Sequence, residues 1–454
     1  MENIVVQVSK YVIIFLVMVY SLYGFVVFRV RKQETKLLFY RHQMTLMYLM
    51  HLLCYLLLFV HFLDVKYIFL YLVQVVFFGV ITWVYKKVYR NMSLLVLNHM
   101  CFLLSVGFVM IARINLALAI RQFVMVAAGM SICLVVPFII EKFEGLGQLG
   151  WGYAIAGVAL LLTVFVPGLG VSKYGSRNWI QVAGIGLQPS EFVKIIFVLF
   201  AAGFLSKTKK FKNIVKISCL AAVYVLILVA ENDLGGALIF FVAYLSILFV
   251  ATGQPAYILA GFGGFASASL VAYRFFGHVR TRVEAFRDPW STIDAGGYQV
   301  ANSLFAIGTG GWFGMGLGKG LPTSIPVSES DFIFSAISEE LGGIFAICLL
   351  LVCVSCFIMF VNIAIKMTNS FYKLTAVGLS VIYIFQIFLT VGGAIKFIPS
   401  TGVTLPLVSY GGSSVLSTII LFSIIQGMYV LNQKNQQQNN QQQNNRLDRQ
   451  GEKE

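Results

Sequence analysis

Asp331 heads the stretch VSESDFIFSAISEELGG (327–343), with Glu339 and Glu340 two turns further on, in a chain where only 11% of residues are charged. An ionised carboxylate in hydrocarbon costs several kcal/mol, so each of the three either lines a wet cavity or meets a partner. At the start of a helix, Asp331 can be a plain N-cap. Partly desolvated, its pKa rises toward working pH and it can act as a general base. Upstream, Arg274, Arg280, Arg282 and Arg287 crowd the stretch before it. Guanidinium forks match phosphate oxygens, so this cluster suits a lipid-linked phosphate or diphosphate. Pairing with Glu284 and Asp288, or contact with phospholipid head groups, is the alternative. Proton abstraction and phosphate binding are the chemistry these residue types allow.

Other polar groups stand in apolar surroundings. Glu191 and Lys194 in QPSEFVK are three apart on one helix face and can neutralise each other. With Gln188 and with Asp233 of ENDLGG, which can cap a span, they read as structural or cavity-lining groups, as do Glu339 and Glu340. Lys396, Ser409 and Tyr410 lie in a Pro/Gly-dense segment, where they either line a cavity or satisfy a broken helix. GTGGWFGMGLGKG lacks the Lys-Ser/Thr ending and preceding strand of a phosphate loop. The five histidines, at 42, 51, 61, 99 and 278, have no zinc-ligand spacing. The seven cysteines lie in or beside apolar runs, where a thiol behaves as a small hydrophobe.

The elements that must hold these groups are membrane helices. The chain is 59% hydrophobic, and apolar runs of about 17–25 residues recur almost without pause. About thirteen spans follow from run length, at 10–28, 43–63, 65–85, 91–112, 117–140, 150–167, 189–206, 214–230, 234–252, 255–275, 332–361, 372–395 and 409–431. The first run precedes the basic RVRKQETK rather than a small-residue cleavage site, so it reads as a span and not a signal peptide. The net charge of +15 is spread over short loops instead of forming an aromatic-interleaved patch, so it reads as a topology signal and excludes a nucleic-acid role. Basic residues mark alternate loops, around Arg29 to Arg41, Lys86 to Arg90, Lys142, Lys207 to Lys216, and Lys366 to Lys373. This pattern puts the N-terminus outside and the C-terminus in the cytoplasm. Three irregular segments then fall on the outer side: 166–194, the long connection 276–331, and 392–414. Irregular backbone at membrane depth must line a cavity or be buried in protein. The Gln/Asn-rich tail, 432–454, is expected to be a disordered cytoplasmic segment.

Five stretches resemble the SEDS family (FtsW/RodA/SpoVE) of cell-wall proteins: RNWIQVAGIGLQPSEFVKI (177–195), ENDLGGALI (231–239), the run from Arg287 through GGYQVANSLFAIGTGGWFGMGLGKG, SDFIFSAISEELGG (330–343) and IPSTGVTLPLVSYGGSS (398–414). Their number and order make the resemblance specific. It implies an all-α polytopic membrane protein with a SEDS-like core of about ten spans over 91–431, preceded by about three extra helices in 1–90. It also implies a peptidoglycan glycosyltransferase of the bacterial cytoplasmic membrane that polymerises lipid II for division, elongation or sporulation. The partners implied are a class B penicillin-binding protein and other division or elongation proteins. The family's essential aspartate falls on Asp331, which becomes the catalytic base. Val327, Glu329 and Ser330 stand where the family has Glu, His and Thr. Arg280, Arg282, Arg287 and Lys396, with Ser409 and Tyr410, become candidate binders of the lipid II diphosphate and sugar. A divalent cation, magnesium or manganese, can share the diphosphate charge. A lipid II flippase, which needs charges continuing to the cytoplasmic side, and a non-catalytic scaffold remain the rival readings.

Overall fold

The computed structural model describes residues 2–173, 176–182, 185–293 and 297–451. Parts of the 166–194 and 276–331 segments and the last residues of the tail therefore lie outside the described residues. In chain order the helices are α1 (Glu2–Arg29), α2 (Gln33–Phe62), α3 (Lys66–Val88), α4 (Leu94–Ile114), α5 (Leu116–Cys133), α6 (Val136–Lys142) and α7 (Gly150–Leu162). Strands β1 (Gly170–Lys173), β2 (Ser176–Val182) and β3 (Ile185–Leu187) follow. Then come α8 (Pro189–Leu205), α9 (Phe211–Ala230), α10 (Leu234–Thr252), α11 (Pro255–Phe275), α12 (Gly277–Arg287), α13 (Tyr298–Gly310), α14 (Ile333–Leu341), α15 (Gly343–Lys366), α16 (Ser370–Ala394) and α17 (Gly412–Gly451).

Among the described residues, eleven helices are long and apolar enough to cross a membrane. The shorter apolar helix over Gly150–Phe165 and the 17-residue α8 account for the other two expected spans. α4 is buried nearly all round, with α2 and α15 packed on it and α1 packed on α15. An apolar helix buried on every face belongs in a bundle centre. A helix whose partners cover one stripe faces lipid, and α11, without a single buried residue, is the extreme case.

Three local departures follow from chain chemistry. The expected continuous span 332–361 is two helices, α14 and α15, broken at Gly342, whose φ of +92° belongs to glycine. There is also no room for a side chain, since a Cβ would lie 2.4 Å from the Gly314 nitrogen. Glu339 and Glu340 therefore sit on a short helix before the span, not within it. The 166–194 segment adds a three-stranded antiparallel sheet in the order β1-β2-β3 to the helical fold. The tail, expected to be disordered, instead continues α17 to Gly451. Its nucleus is already formed by the membrane portion, and glutamine propagates a helix well.

The 392–414 segment re-enters the bundle as its Gly/Pro content requires. Its carbonyls at Val403 and Thr404 accept bonds from Thr390 (2.9 Å) and Gln386 (3.0 Å) of α16. Irregular backbone survives here because protein groups replace the missing helical bonds. At the same end of the bundle, Lys10 of α1 donates to the Gly314 carbonyl at 3.1 Å. At the opposite end, Lys434 of α17 pairs with Glu141 at 2.7 Å.

Candidate functional site

Asp331 closes an irregular turn in which Val327 adopts φ +55°, an uncommon conformation for a β-branched residue. The re-entrant segment holds that turn in place. The Tyr410 amide donates to the Glu329 carbonyl at 2.7 Å, and the Ser409 hydroxyl donates to the Ser330 carbonyl at 2.6 Å. Ser409 is buried and its oxygen also accepts from the Leu405 amide, at 2.8 Å. Gln122 of α5 donates to the Ser409 carbonyl (2.9 Å) and accepts from the Gly411 amide (3.3 Å). The structure thus puts Ser409 and the Tyr410 backbone behind Asp331, gripping its turn.

Asp331 does not cap α14, whose N-cap is Phe332 with no side-chain cap bond. This corrects the N-cap reading, since the carboxylate points elsewhere. A Cβ built on Gly402, at φ +73°, would lie 3.6 Å from Asp331 Oδ2 and 3.8 Å from Arg282 Nη2. Gly402 is the bare floor between a carboxylate and a guanidinium. Asp331 keeps an exposed edge, yet protein surrounds it closely. Burial pushes its carboxyl up to about 6, against the opposing pull of the Ser330 hydroxyl and the Arg282 guanidinium.

Behind Gly402 lies a polar cavity of about 40 Å³, lined among others by Gln188, Glu191, Lys194, Asp233, Gly402 and Thr404. It brings together four residues that the sequence scattered over two motifs. Asp233 caps α10 through the Gly236 amide (2.8 Å), and its Oδ2 accepts from Ser190 (3.2 Å), Asn178 (3.3 Å) and Gln188 (3.4 Å). Lys194 donates to Glu191 at 2.6 Å and to Gln386 at 2.9 Å, and Ser417 donates to Glu191 at 2.9 Å. The volume suits roughly three waters and is far below the ~300 Å³ of a small-ligand pocket. Any ligand larger than a few waters must therefore lie outside it.

The arginines do not converge. Arg280 turns back to donate to the Arg274 carbonyl at 3.3 Å and lies 6.0 Å from the Tyr273 ring. Arg287 is exposed, and its carbonyl accepts from Lys396 at 3.4 Å. Of the four, Arg282 is the one placed beside Asp331. Glu339 and Glu340 anchor the glycine-rich stretch: Glu340 Oε1 accepts from Arg113 Nε (2.9 Å) and the Gly320 amide (3.2 Å), and Glu339 Oε1 accepts from the Leu321 amide (3.1 Å). Sequence reasoning missed Arg113, Gln122, Gln386 and Gly402. The first three carried a signal, since a polar side chain in an apolar run demands a partner.

Fold and site define a polytopic membrane protein with a partly desolvated carboxylate and a guanidinium at one end of its bundle. The profile of the FtsW/RodA/SpoVE family, described as cell cycle proteins, matches residues 85–434, and the chain belongs to that family. It is 34% identical over 358 residues to the peptidoglycan glycosyltransferase RodA of Mycobacterium bovis, covering 73% of this chain and 76% of that one. To the probable peptidoglycan glycosyltransferase FtsW of Saccharophagus degradans it is 31% identical over 381 residues, covering 77% of this chain and 95% of that one. In fold it is similar, at a TM-score of 0.63 and 24% identity, to a chain solved in work on a peptidoglycan synthase complex that coordinates polymerization and crosslinking, covering 74% of this chain and 97% of that one.

Proposed function

We propose that this chain is a peptidoglycan glycosyltransferase that joins lipid II units into glycan strands at the outer face of the bacterial cytoplasmic membrane. The observation that carries the reading is the placement of Asp331 and Arg282 across the bare floor of Gly402. The names of the mycobacterial and Saccharophagus relatives support the reaction class. The 4-hydroxyl of the acceptor GlcNAc attacks the anomeric carbon of the donor MurNAc, and its proton passes to the Asp331 carboxylate. The new bond forms as the bond from that carbon to the diphosphate oxygen breaks, with inversion. The electron pair leaves on undecaprenyl diphosphate, and the Arg282 guanidinium stabilises the growing charge. Arg287, which is exposed, and Lys396, which donates to its carbonyl, are the further cations we assign to the diphosphate. No nucleotide is required, because the donor is already activated.

Among the described residues no three His, Cys, Asp or Glu side chains come together as a metal cage would need. Magnesium or manganese would be a counter-ion carried in by the diphosphate. Topology supports an outer site. The N-terminus lies at the Asp331 end through Lys10 and Gly314, while α17 leaves at the end where the basic loops gather. A class B penicillin-binding protein is the partner we propose, and the family likeness to a chain of a synthase complex supports it.

The test is glycan-strand formation from labelled lipid II by the purified protein with its cognate class B penicillin-binding protein. Wild type should make polymer, and Asp331→Asn, equally folded, should make none. Polymer from both would discard Asp331 as the base. No polymer from either, with the complex verified, would return the flippase and scaffold readings.

A further inference from the structure

The family match begins at residue 85, so α1, α2 and nearly all of α3 precede it. They are nonetheless stitched to the core by buried polar bonds. Tyr20 meets His99 Nδ1 at 3.1 Å, His99 Nε2 meets Ser355 at 2.9 Å, and Ser355 donates back to the Gly24 carbonyl at 3.1 Å. Asn98 donates to the Tyr40 carbonyl (2.9 Å), and Ser105 meets His51 (2.8 Å). Polar side chains bonded across helices hold those helices together in a bilayer. Together they fix where the outer ends of α1 and α2 sit.

Those ends press on the glycine-rich stretch 311–320 from one side while α14 presses from the other. A Cβ on Gly316 (φ +103°) would lie 2.5 Å from Val6 of α1, and one on Gly318 (φ +89°) would lie 3.1 Å from the His61 ring of α2. On the opposite side, a Cβ on Gly314 (φ +73°) would lie 2.4 Å from the Glu340 carbonyl, and one on Gly320 would lie 2.7 Å from the Glu340 side chain. These close approaches give the glycines a reason: the middle pair faces α1 and α2, the outer pair faces α14, and the loop is a shim between the two helical surfaces. It is bonded to both. Lys10 donates to the Gly314 carbonyl at 3.1 Å, and the Met315 and Gly316 amides donate to the Glu339 and Glu340 carbonyls, each at 2.9 Å. α14 is nine residues long and starts two residues after Asp331.

We propose that α1 and α2 form an intramolecular clamp, with Lys10 as its positioning residue, which presses the glycine-rich loop onto α14 and so holds Asp331 in register for glycan transfer. The inference rests on the polymerase reading above. Lys10 touches no reacting atom in this arrangement; it acts through the loop and the helix. A base held slightly out of place loses rate without losing substrate affinity.

The experiment compares wild type, Lys10→Met, Lys10→Arg and Val6→Ala in full-length protein with its cognate penicillin-binding protein, by polymerisation kinetics and by hydrogen exchange at Met315 and Gly316. Lys10→Met is expected to lower kcat about tenfold to a hundredfold with KM unchanged, and to speed exchange at those two amides. Lys10→Arg should restore both, and Val6→Ala should shift both in the same direction as Lys10→Met. A Lys10→Met protein with wild-type kcat would overturn the proposal, whether or not exchange changed. So would a rate loss that tracks only the folded fraction. An inactive wild type would sink the polymerase reading separately, and unchanged exchange in Lys10→Met would then sink the clamp as well.

Discussion

α14 carries a carboxylate and a guanidinium at each end, and the two ends do opposite things. At its C-terminal end Glu340 is fully buried, and its Oε1 is held by Arg113 and by the Gly320 amide, while Arg113 also donates to the Gly320 carbonyl at 3.0 Å. That pair closes a loop and leaves nothing for a ligand to reach. Just before its N-terminal end, Asp331 keeps an exposed edge, faces Arg282 over a glycine, and is gripped from behind through its neighbours' backbone. Charge pairing alone does not mark a working site. What separates the two is whether backbone donors have already claimed the carboxylate.

The sharpest way to break that contrast is to neutralise each acid in turn. Asp331→Asn should cost about 10²–10⁴ in polymerisation rate, the usual worth of a general base, with melting temperature and partner binding near wild type. Glu340→Gln should act mainly on stability. Removing one member of a buried pair leaves Arg113 uncompensated, at about 3–5 kcal/mol, read as a lower melting temperature or lost folded yield, with a rate per folded molecule that falls far less than in Asp331→Asn. If Glu340→Gln kept its stability and lost its rate, the assignment of roles to the two ends would be wrong.

A smaller effect tests whether Arg282 and Asp331 act on each other. The Asp331 carboxyl stands at about 6 with the Arg282 charge pulling it down. A base must be ionised, so rate should rise with pH through about 6. Arg282→Gln removes the downward pull, so its acid limb should move to higher pH, while Arg282→Lys should leave the limb in place. Arg280→Gln, whose side chain turns back toward α11, should leave the limb unmoved. A limb that shifts equally in both glutamine variants would mean that the arginines act as a diffuse field.

Much of this was legible in the sequence, because a bilayer imposes its length on each apolar run and Gly/Pro density marks where backbone must leave the helix. The pairing of Glu191 with Lys194 was legible because both lie on one helix at i and i+3. Arg113 was not tied to Glu340, since 227 positions separate them and no local period connects them. The split of the arginines depends on α12, a helix inside the long connection 276–331. Once α12 is a helix, Arg280 and Arg282 stand about 200° apart around its axis and cannot share a target. The break at Gly342 had a local signal in the Gly342-Gly343 pair, but the pair lies inside one apolar run, and the Gly314 backbone packed against it is a contact that no local pattern shows.

Glu231, in the turn between α9 and α10, extends the comparison to an acid that is buried like Glu340 but has neither a guanidinium nor an amide. Its carbonyl accepts from the Arg177 amide at 2.9 Å, yet among the described residues neither side-chain oxygen has a hydrogen-bond partner. Burial, and then the negative charge of Asp233, raises its carboxyl from the ordinary 4.5 to about 8, so it is neutral at pH 7. The folded protein then holds a proton that the unfolded chain releases above about 4.5. Its contribution to stability is therefore fully present below that pH and falls as pH rises toward about 8. Glu231→Gln should remove that slope. The variant should match wild type near pH 5 and exceed it by on the order of 2–4 kcal/mol near pH 8, read as melting temperature in detergent. Equal slopes in the two proteins would mean that Glu231 is ionised and paired after all. In that case burial without a partner would no longer set it apart from Glu340, and the rule drawn from the two ends of α14 would fail at the third acid.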